Sequence, residues 1–438
     1  MSSSAGATDW NRRPDLDEVS AMVARVEEAG RIGAVDVGDG RAVVLHDLDR
    51  QDRRLAALTQ LFPDDTLHAV AVKANPLVEV LRPLVESGAG CETASIEEIH
   101  VALAAGCPPD RIVFDSPAKT LDELAFALER GLVVNVDNPV ELERVAALGE
   151  SSSSVIGVRL NPDVGSGTIG TTSVGGRGSR FGAPADQVVE MFATHAADLA
   201  GLRGLHVHVG SQGCSLDQLV AGARAAQSVR EQIAERLGED RIDQIDIGGG
   251  LPTDYGIDAD APTIERYVDE LRRACPALFD GSVRLVTEFG RALLAGCGVA
   301  IATVEYTKRV DGVDHAIVHL GADLLLRTAY QPESWPYRFS VLDAEGNPKP
   351  GRAGEWTVAG PLCFAGDVIG RNVPLGDVEP GDRVVIHDVG AYTYSMWSRH
   401  CSRSMPAVIG VRDDAVTQLR APERPEDIAR MWSRDGWR

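Results

Sequence analysis

Lys73 is the residue whose position most directly suggests chemistry. It follows the apolar run 69–72, which predicts a buried strand, and Pro76 favours the first turn of a helix. An amine at the end of a buried strand is partly desolvated, which favours its neutral form and lets it attack an aldehyde. The plain alternative is a solvated lysine at a strand end, and this segment alone does not decide between the two.

Five further predicted strands also end in polar or glycine-rich segments. These are Glu92-Thr-Ala-Ser95, Arg159 with Asn161, His206-Val-His208-Val-Gly-Ser211-Gln212, Asp246-Ile-Gly248-Gly249-Gly250 and Glu288-Phe-Gly290-Arg291. Singly they are weak signals, because a lone histidine is usually a core or surface residue and three glycines also make an ordinary turn. Because the carboxyl ends of barrel strands meet on one face, six such endings together predict a functional site.

The rest of the chain supplies the elements that would position these residues. Strand-like runs occur at 67–74, 90–95, 111–116, 132–137, 155–161, 202–210, 244–248 and 283–288, with amphipathic helical patterns between most of them. This alternation predicts a parallel (β/α)8 barrel of the α/β class. A doubly wound open sheet is the runner-up, but no GxGxxG motif opens its first helix. After residue 295, short β-rich runs separated by glycine and proline predict a mostly antiparallel β domain.

We therefore divide the chain into an N-terminal segment 1–40, a barrel 41–298 and a C-terminal β domain 299–438. The first segment contains one helical pattern and could pack on the β domain. The early strand at 41–46 is compatible with either domain. A Gly/Ser/Thr-rich tract at 165–178 is either a mobile loop over the site or a surface insertion.

Composition excludes several classes of function. The chain has 438 residues and a formal net charge of −22, which argues against nucleic acid or an anionic membrane as a partner. No apolar run reaches the roughly 18 residues of a membrane-spanning helix. The seven cysteines, at 91, 107, 214, 275, 297, 363 and 401, are scattered and form no CxxC pair. They predict reduced thiols in the cytoplasm and no metal site.

The strand-end residues have complementary chemical roles. Glycines 248–250 let backbone amides approach an anion closely, and Ser211 can add a hydroxyl to the same phosphate. The flat imidazole of His208 could stack on an aromatic ring, and the carboxylate of Glu288 would keep a ring nitrogen protonated. Together with the amine of Lys73, these groups predict a site for pyridoxal 5'-phosphate.

Six motifs occur in a characteristic order between about residues 40 and 412. They are Ala71-Val-Lys73-Ala-Asn75, His208-Val-Gly-Ser211-Gln212, Gly248-Gly-Gly250, Glu288-Phe-Gly-Arg291, Gly360-Pro-Leu-Cys363-Phe-Ala-Gly-Asp367 and Gly390-Ala-Tyr392-Thr-Tyr-Ser-Met396. The set resembles the fold-type III pyridoxal-phosphate decarboxylases, most closely the diaminopimelate decarboxylase branch, with ornithine decarboxylases as cousins. The resemblance implies an alanine-racemase-like barrel plus a β domain, and a head-to-tail homodimer with active sites at the interface. It implies decarboxylation of a small amino-acid-type substrate.

The resemblance also implies roles for individual residues. Lys73 is expected to bind the cofactor aldehyde covalently, His208 to stack on its ring, and Glu288 to pair with its ring nitrogen. Cys363 of the partner subunit is expected to protonate Cα after carbon dioxide leaves, whereas without the resemblance it would be interpreted as a small buried hydrophobe. Further cofactor contacts are expected from Glu92, Arg159, Ser211, Gly248, Gly249, Gly250, Gly290, Arg291 and Tyr392, and substrate contacts from Arg180, Arg327, Tyr330, Phe364 and Asp367.

The substrate-binding segments depart from the family pattern. Phe364 stands where an acidic residue usually recognises the distal amine of the substrate, and an aromatic ring offers an ammonium only a weak cation–π contact. This argues against meso-diaminopimelate and ornithine and favours a modified or conjugated amino acid. Arg327 matches the family arginine of the substrate-carboxylate segment loosely, because Thr328 replaces a proline and the spacing to Tyr330 is one residue shorter.

Three other departures are milder. Glu92 replaces a frequent aspartate near the cofactor, which gives a longer arm with the same charge. Arg180 keeps a cation in a segment that resembles Ser-Lys-Phe-Gly. Phe289 replaces a proline and should affect only loop stiffness.

Two other functions are compatible with a barrel that binds this cofactor. An amino-acid racemase or epimerase would typically use an arginine near the pyridine nitrogen and a tyrosine base, so Glu288 and Cys363 argue against it, although a cysteine opposite Lys73 could act as one of two bases. A non-catalytic pyridoxal-phosphate carrier would be a single barrel. The predicted β domain, with Cys363 and Tyr392, argues against that alternative.

Overall fold

The computed structural model describes residues 10, 12–30, 41–149, 154–255, 262–349, 354–434 and 436. The helices are α1 (Leu16–Glu28), α2 (Leu48–Leu61), α3 (Val78–Glu86), α4 (Ile96–Ala104), α5 (Leu121–Glu129), α6 (Pro139–Leu148), α7 (Ala185–His195), α8 (Leu216–Leu237), α9 (Ile264–Ala274), α10 (Arg291–Leu294), α11 (Leu326–Tyr330) and α12 (Pro425–Met431). The first nine strands are β1 (Ala42–Asp47), β2 (Leu67–Ala71), β3 (Gly90–Thr93), β4 (Ile112–Phe114), β5 (Val133–Val136), β6 (Val155–Leu160), β7 (Leu202–Val207), β8 (Gln244–Asp246) and β9 (Arg284–Thr287). The others are β10 (Gly298–Val310), β11 (Val313–Val318), β12 (Phe339–Leu342), β13 (Pro348–Lys349), β14 (Glu355–Ala359), β15 (Val368–Pro374), β16 (Arg383–His387), β17 (Ala407–Arg412) and β18 (Ala415–Arg420).

The chain divides into two compact units. The barrel unit consists mainly of residues 52–253 and 260–293, and the sheet unit mainly of residues 12–51 and 294–438. None of the described helices is long and apolar enough to cross a membrane.

The barrel unit contains a closed barrel of eight parallel strands, β2 to β9 in chain order. The barrel closes where β9 pairs with β2, with Val286 opposite Leu67 and Thr287 opposite His68. Each strand overlaps one of the eight runs predicted from the sequence, so the predicted (β/α)8 barrel is confirmed. The strands are shorter than predicted because their polar carboxyl ends leave the sheet and become loops.

Apolar and polar residues are separated along the barrel strands. One buried cluster joins small apolar side chains from five strands: Leu67, Ala69, Val113, Val133, Val155 and Val286. Buried polar side chains instead occupy the ends of the strands or the residues just after them: Glu92, Asp115, Arg159, His206, Asp246 and Glu288. A barrel packed in this way presents its chemical groups at the carboxyl ends of its strands.

The tract 165–178 lies against the loop that follows β7. The N–H group of Val174 donates to the carbonyl of Val209 at 2.9 Å, and the N–H group of Ser211 donates to the carbonyl of Thr172 at 3.0 Å. These hydrogen bonds hold the tract against the loop that carries Ser211, and both alternatives left open by the sequence, a mobile loop over the site or a surface insertion, remain predictions.

The sheet unit is built on ten strands, and most of their pairings are antiparallel. The main path runs β13-β12-β16-β10-β1-β17-β18, and β11, β14 and β15 extend from β10. The predicted antiparallel β domain is therefore confirmed. Strands β12, β13, β15 and β18 were not predicted, because they are short or half-exposed and lack a continuous apolar run.

The structure corrects one predicted boundary. β1 pairs antiparallel with β10 and parallel with β17, so this strand belongs to the sheet unit and not to a barrel that begins at residue 41. Helix α1 packs on the same sheet, where Val19 and Val23 share a buried core with Leu45. The rest of the predicted N-terminal segment, 1–9, 11 and 31–40, lies outside the described residues.

Candidate active site

Lys73 lies in a single 3-10 turn, Val72–Ala74, directly after β2. Its Nζ atom is 2.5 Å from both side-chain oxygens of Glu92, the third residue of β3. The Lys73 side chain is 36% exposed, whereas that of Glu92 is fully buried. Burial raises the pKa of Glu92 to about 8, an effect that the Lys73 ammonium opposes. Glu92 can therefore accept a proton from the amine near neutral pH.

His208 and Glu288 form the second part of the site. The Nδ1 atom of His208 accepts the N–H group of Gly249 at 3.2 Å and lies 3.7 Å from Oε2 of Glu288. Burial lowers the pKa of His208 to about 3, so the imidazole is neutral. Burial would raise the pKa of Glu288, but the neighbouring His206 outweighs that effect and the pKa is lowered to about 2. The site thus combines a neutral flat ring with an ionised carboxylate.

Arg291 and Ser211 form the anion-binding part of the site. The Nε and Nη2 atoms of Arg291 both lie 3.4 Å from the hydroxyl oxygen of Ser211. The backbone N–H of Ser211 is already committed to Thr172. The guanidinium and the hydroxyl are therefore the groups that can meet a phosphate here.

Two backbone amides of the glycine motif 248–250 have partners within the protein. The N–H group of Gly248 donates to Oδ1 of Asp246 at 2.8 Å, and that of Gly249 donates to His208. Both amides have partners within the barrel and orient Asp246 and His208. The contact of the 248–250 glycines with the cofactor stays a prediction.

Glycine is nevertheless required at these positions because the backbone packs closely. A Cβ atom at Gly249 would lie 2.3 Å from the carbonyl oxygen of Glu288, and one at Gly290 would lie 2.7 Å from Cβ of Ala74. Gly250 has a φ of +99°, which side chains disfavour. This close packing lies at the carboxyl ends of β8 and β9, where the cofactor ring and its phosphate are expected. The Lys73 amine, the buried Glu288 carboxylate and the Arg291 guanidinium beside Ser211 are the donor set that this group requires, so the residues present fit it.

Arg159 and Arg180 lie on the ring of Phe181. Their guanidinium carbons are 4.8 Å and 4.6 Å from its centroid. Arg159 is buried and donates from Nη1 to Oδ2 of Asp115 at 2.9 Å, whereas Arg180 is exposed. The cofactor contact of Arg159 and the substrate contact of Arg180 remain predictions.

The sequence predicted no role for Asp115, His206 or Asp246, although His206 and Asp246 stand in two of the strand-end segments that predict the site. His206 lies between Asp115 and Glu288, with its Nδ1 and Nε2 atoms 3.5 Å and 3.6 Å from the two carboxylates. A signal for Asp115 was present, because it directly follows a buried strand as the other site residues do. His206 shares a strand face with His208, which is the corresponding signal.

The remaining predicted residues lie in the sheet unit. The Arg327 guanidinium carbon is 5.0 Å from the ring centroid of Tyr392 and 4.5 Å from that of Trp335. Tyr392 has a φ of 58°, in the left-handed region that a residue other than glycine seldom occupies. Such strain is concentrated at functional positions. The predicted substrate-binding Arg327 and the predicted cofactor-binding Tyr392 are therefore neighbours.

Cys363 carries an exposed thiol beside an aromatic cluster, which we define as Tyr330, Phe364 and His400. The Phe364 ring stacks on Tyr330 with centroids 5.7 Å apart and planes at 25°, and it meets His400 edge-on at 6.2 Å. A Cβ atom at Gly366 would lie 2.4 Å from the Phe364 ring, so the loop folds closely under it. Cys363 directly precedes Phe364 in the chain, so the exposed cysteine adjoins one member of this cluster.

Asp367 has a different role from the one predicted. It is 4% exposed, and its two oxygens accept the N–H groups of Ala322 and Leu362, both at 2.6 Å. Its carboxylate therefore fixes the segment that leads into Cys363. We correct its assignment from substrate contact to positioning of that loop.

A closed parallel barrel with a lysine after its first strand, joined to an antiparallel sheet, defines an alanine-racemase-like pyridoxal-phosphate enzyme. Residues 48–295 match the family described as pyridoxal-dependent decarboxylase, pyridoxal binding domain, and the chain belongs to that family. The predicted fold-type III decarboxylase and its cofactor are confirmed, and the chain is a pyridoxal-phosphate-dependent carboxy-lyase.

The sequences of known relatives align with most of this chain. The diaminopimelate decarboxylase of Streptomyces coelicolor is 34% identical over 383 residues, which cover 81% of this chain and 83% of the relative. That of Pseudomonas aeruginosa is 31% identical over 366 residues, with coverages of 82% and 84%. The crystal structure of the Helicobacter pylori diaminopimelate decarboxylase in complex with L-lysine is similar at a TM-score of 0.80, with 27% identity and coverages of 89% and 96%.

Proposed function

We propose that this decarboxylase uses Lys73 to attach its cofactor, His208 to contact the ring face, and Glu288 to keep the ring nitrogen protonated. Arg291 and Ser211 would hold the phosphate. When bound, the cofactor supplies an electron sink for the negative charge that develops at Cα. The observation that carries the proposal is the ionised, buried Glu288 beside a neutral His208. A carboxylate at the ring nitrogen keeps that nitrogen protonated, and a protonated ring accepts the negative charge from Cα more readily.

The overall reaction balances without an oxidant or a reductant. The bond between Cα and the carboxylate breaks, carbon dioxide leaves, and one proton is added to Cα to give the amine. We assign that proton to the thiol of Cys363, which is exposed in its own unit on a loop fixed by Asp367. The thiolate is then reprotonated from water.

We further propose a homodimer in which Cys363 of the partner subunit completes each site. Mixing Lys73→Ala with Cys363→Ala subunits tests this arrangement, because a mixed dimer has one complete site. Random mixing should restore about a quarter of the wild-type activity. No recovery after demonstrated subunit exchange would show that both residues act within one chain.

The proposed substrate is an amino acid whose distal amine is masked by conjugation. The relatives are diaminopimelate decarboxylases, but here the aromatic cluster adjoins Cys363 where a carboxylate would bind a distal ammonium. An aromatic surface favours an apolar or planar amide group over a solvated ammonium. Arg327 beside Tyr392 is the proposed partner of a substrate carboxylate.

A substrate panel tests this proposal. The holoenzyme is incubated in deuterated water with L- and D-amino acids that carry free or acylated distal amines, while carbon dioxide and deuterium at Cα are followed. Release of carbon dioxide with one deuterium at Cα, fastest for an acylated substrate, is expected. Deuterium at Cα with the carboxylate retained throughout would support a racemase instead, and preference for meso-diaminopimelate would refute the proposed specificity.

We also propose that the protein works in the cytoplasm. All seven cysteines are free, which suits a reducing compartment. Fractionation of the native cells with detection of the chain would test this, and recovery outside the cytoplasm would refute it.

A further inference from the structure

His206 lies at the centre of a row of buried charged groups. Its Nδ1 atom is 3.5 Å from Oδ1 of Asp115, and its Nε2 atom is 3.6 Å from Oε1 of Glu288. The His206 side chain is fully buried, and those of Asp115 and Glu288 are 6% and 1% exposed. Within the described part of the chain, none of these four buried atoms makes a hydrogen bond, so they face one another without another partner.

Other groups hold both ends of the row. The Nη1 atom of Arg159 donates to Oδ2 of Asp115 at 2.9 Å, so the other carboxylate oxygen, Oδ1, is the one that faces His206. Likewise, Oε2 of Glu288 lies 3.7 Å from Nδ1 of His208, so the other oxygen of Glu288, Oε1, faces His206. The row Arg159, Asp115, His206, Glu288 thus links four strands of the barrel.

The chemistry of these groups determines what His206 can do. An ionised carboxylate only accepts hydrogen bonds, and an unpaired buried oxygen costs free energy. The two ring nitrogens of His206 are the groups that face these oxygens of Asp115 and Glu288. An imidazole that is protonated on both nitrogens can donate to both carboxylates at once, and its charge compensates theirs.

The titration behaviour of the surrounding acids is consistent with this arrangement. Burial would raise the pKa of Asp115, but Arg159 and His206 outweigh it and lower the pKa below its ordinary value. Burial and the nearby Glu288 raise the pKa of Asp246 well above its ordinary value. The raised pKa of Asp246 favours its neutral form, which leaves Asp115 and Glu288 as the ionised carboxylates that His206 faces.

We propose that His206 is a positioning residue, which lies between Asp115 and Glu288 and keeps the Glu288 carboxylate directed at the ring nitrogen of the cofactor. This inference rests on the proposed pairing of Glu288 with that nitrogen. His206 acts through Glu288 and not by touching the substrate.

A binding comparison tests the proposal without turnover. Full-length cofactor-free protein is titrated with pyridoxine 5'-phosphate, which lacks the aldehyde, and with its 1-deaza analogue, in which carbon replaces the ring nitrogen. The measured quantity is the ratio of the two dissociation constants. The wild type, His206→Gln and a control, His68→Gln, are compared; His68 is another buried histidine of the barrel unit and contacts Thr287.

In the wild type and in His68→Gln, the 1-deaza analogue should have a dissociation constant at least tenfold higher than that of pyridoxine 5'-phosphate. In His206→Gln this ratio should be less than threefold. An unchanged ratio in His206→Gln would refute the role of His206 while leaving the pairing of Glu288 intact. If the wild type binds the two compounds with equal affinity, and Glu288→Gln gives the same ratio, both the pairing of Glu288 with the ring nitrogen and the role of His206 are refuted.

Two further measurements keep the result interpretable. If circular dichroism shows that His206→Gln is misfolded, Asp115→Asn takes its place, and it should lower the ratio in the same direction. Asp115, His206 and Glu288 also offer ligand atoms within 4.8 Å of one another, as a metal site would. Stoichiometric divalent metal in the purified protein that is lost in His206→Gln would therefore overturn the proposal.

Discussion

The Nζ atom of Lys73 lies 2.5 Å from both oxygens of the Glu92 carboxylate. Glu92 is fully buried and its pKa is raised by that burial, whereas the lysine side chain is partly exposed. The sequence suggested that desolvation of the lysine itself would release its amine. The structure indicates instead that a buried acid beside the amine can accept its proton.

Glu92→Gln should therefore slow the attachment of pyridoxal 5'-phosphate to the cofactor-free protein. Glutamine keeps the size of the side chain but cannot take the proton from Lys73, so we expect a rate roughly 100-fold lower near neutral pH. Stopped-flow absorbance measures this rate. Glu97→Gln, at an exposed position on α4, is the matched control, and equal rates for both variants would exclude proton transfer to Glu92.

Lys73 should be the lysine that holds the cofactor. The chain contains four lysines, at 73, 119, 308 and 349. Lys119 is fully buried and donates to Glu141 and two carbonyls, so it is not available for attachment. Borohydride reduction of the holoenzyme followed by peptide mass mapping should give a pyridoxyl group on Lys73, and label on Lys308 or Lys349 instead would contradict the assignment.

Cys363→Ala should keep cofactor binding but impair protonation of Cα. Loss of a positioned acid costs about 100-fold or more in rate, and protonation elsewhere would divert part of the product. Product analysis by mass spectrometry in deuterated water measures both effects. Cys401→Ala controls for the loss of another exposed thiol in the same unit. Unchanged rate and product in Cys363→Ala would remove this thiol from the reaction.

Phe364→Glu should shift specificity toward substrates with a free distal ammonium. A hydrogen bond to a charged group contributes about 1.5–3 kcal/mol, so kcat/KM for such substrates should rise roughly tenfold or more. Phe364→Leu removes the aromatic ring without adding charge and is the control. If both variants change the specificity equally, the carboxylate at this position does not recognise the amine.

His68 should make the stability of the barrel unit sensitive to acid. Burial lowers its pKa from 6.5 to about 4, so the unfolded chain binds more protons at this residue between those values. Its contribution to stability is therefore lost as the pH falls through that window, by about 3 kcal/mol at pH 4 at 1.4 kcal/mol per pKa unit.

Denaturant unfolding of the wild type and His68→Gln between pH 7 and 4.5 measures this loss. The stability difference between them should change in favour of the variant as the pH is lowered. His100→Gln, at an exposed helix position, controls for the removal of one histidine. A difference that stays constant with pH would show that His68 is not held neutral by burial.

The barrel could be predicted because each of its strands is a local signal. Strand β6, for example, is six consecutive buried residues from Val155 to Leu160, and its pattern does not depend on distant partners. Strand β1 was recognised as a strand by the same signal, but its neighbours β10 and β17 come from far along the chain. Local periodicity carries no information about such pairing.

The site residues were predictable one at a time, but not their mutual contacts. His206 became a member of the site only through its distances to Asp115 and Glu288, which depend on three separate strands. The same holds for four backbone hydrogen bonds of the site. Gly248 and Gly249 donate two of them, and Asp367 accepts the other two through its carboxylate, and all depend on the tertiary arrangement.

The pairing of β1 also has a consequence for biosynthesis. Val44 pairs with Ala300 and Val408, so this strand is made long before its partners leave the ribosome. At typical rates of synthesis, the intervening chain takes on the order of tens of seconds to appear. During that time Val43, Val44 and Leu45 are an apolar strand with neither neighbour, while all eight barrel strands emerge. An unpaired apolar strand is a template for aggregation, so β1 is a site of exposure in the nascent chain until β10 and β17 have been made.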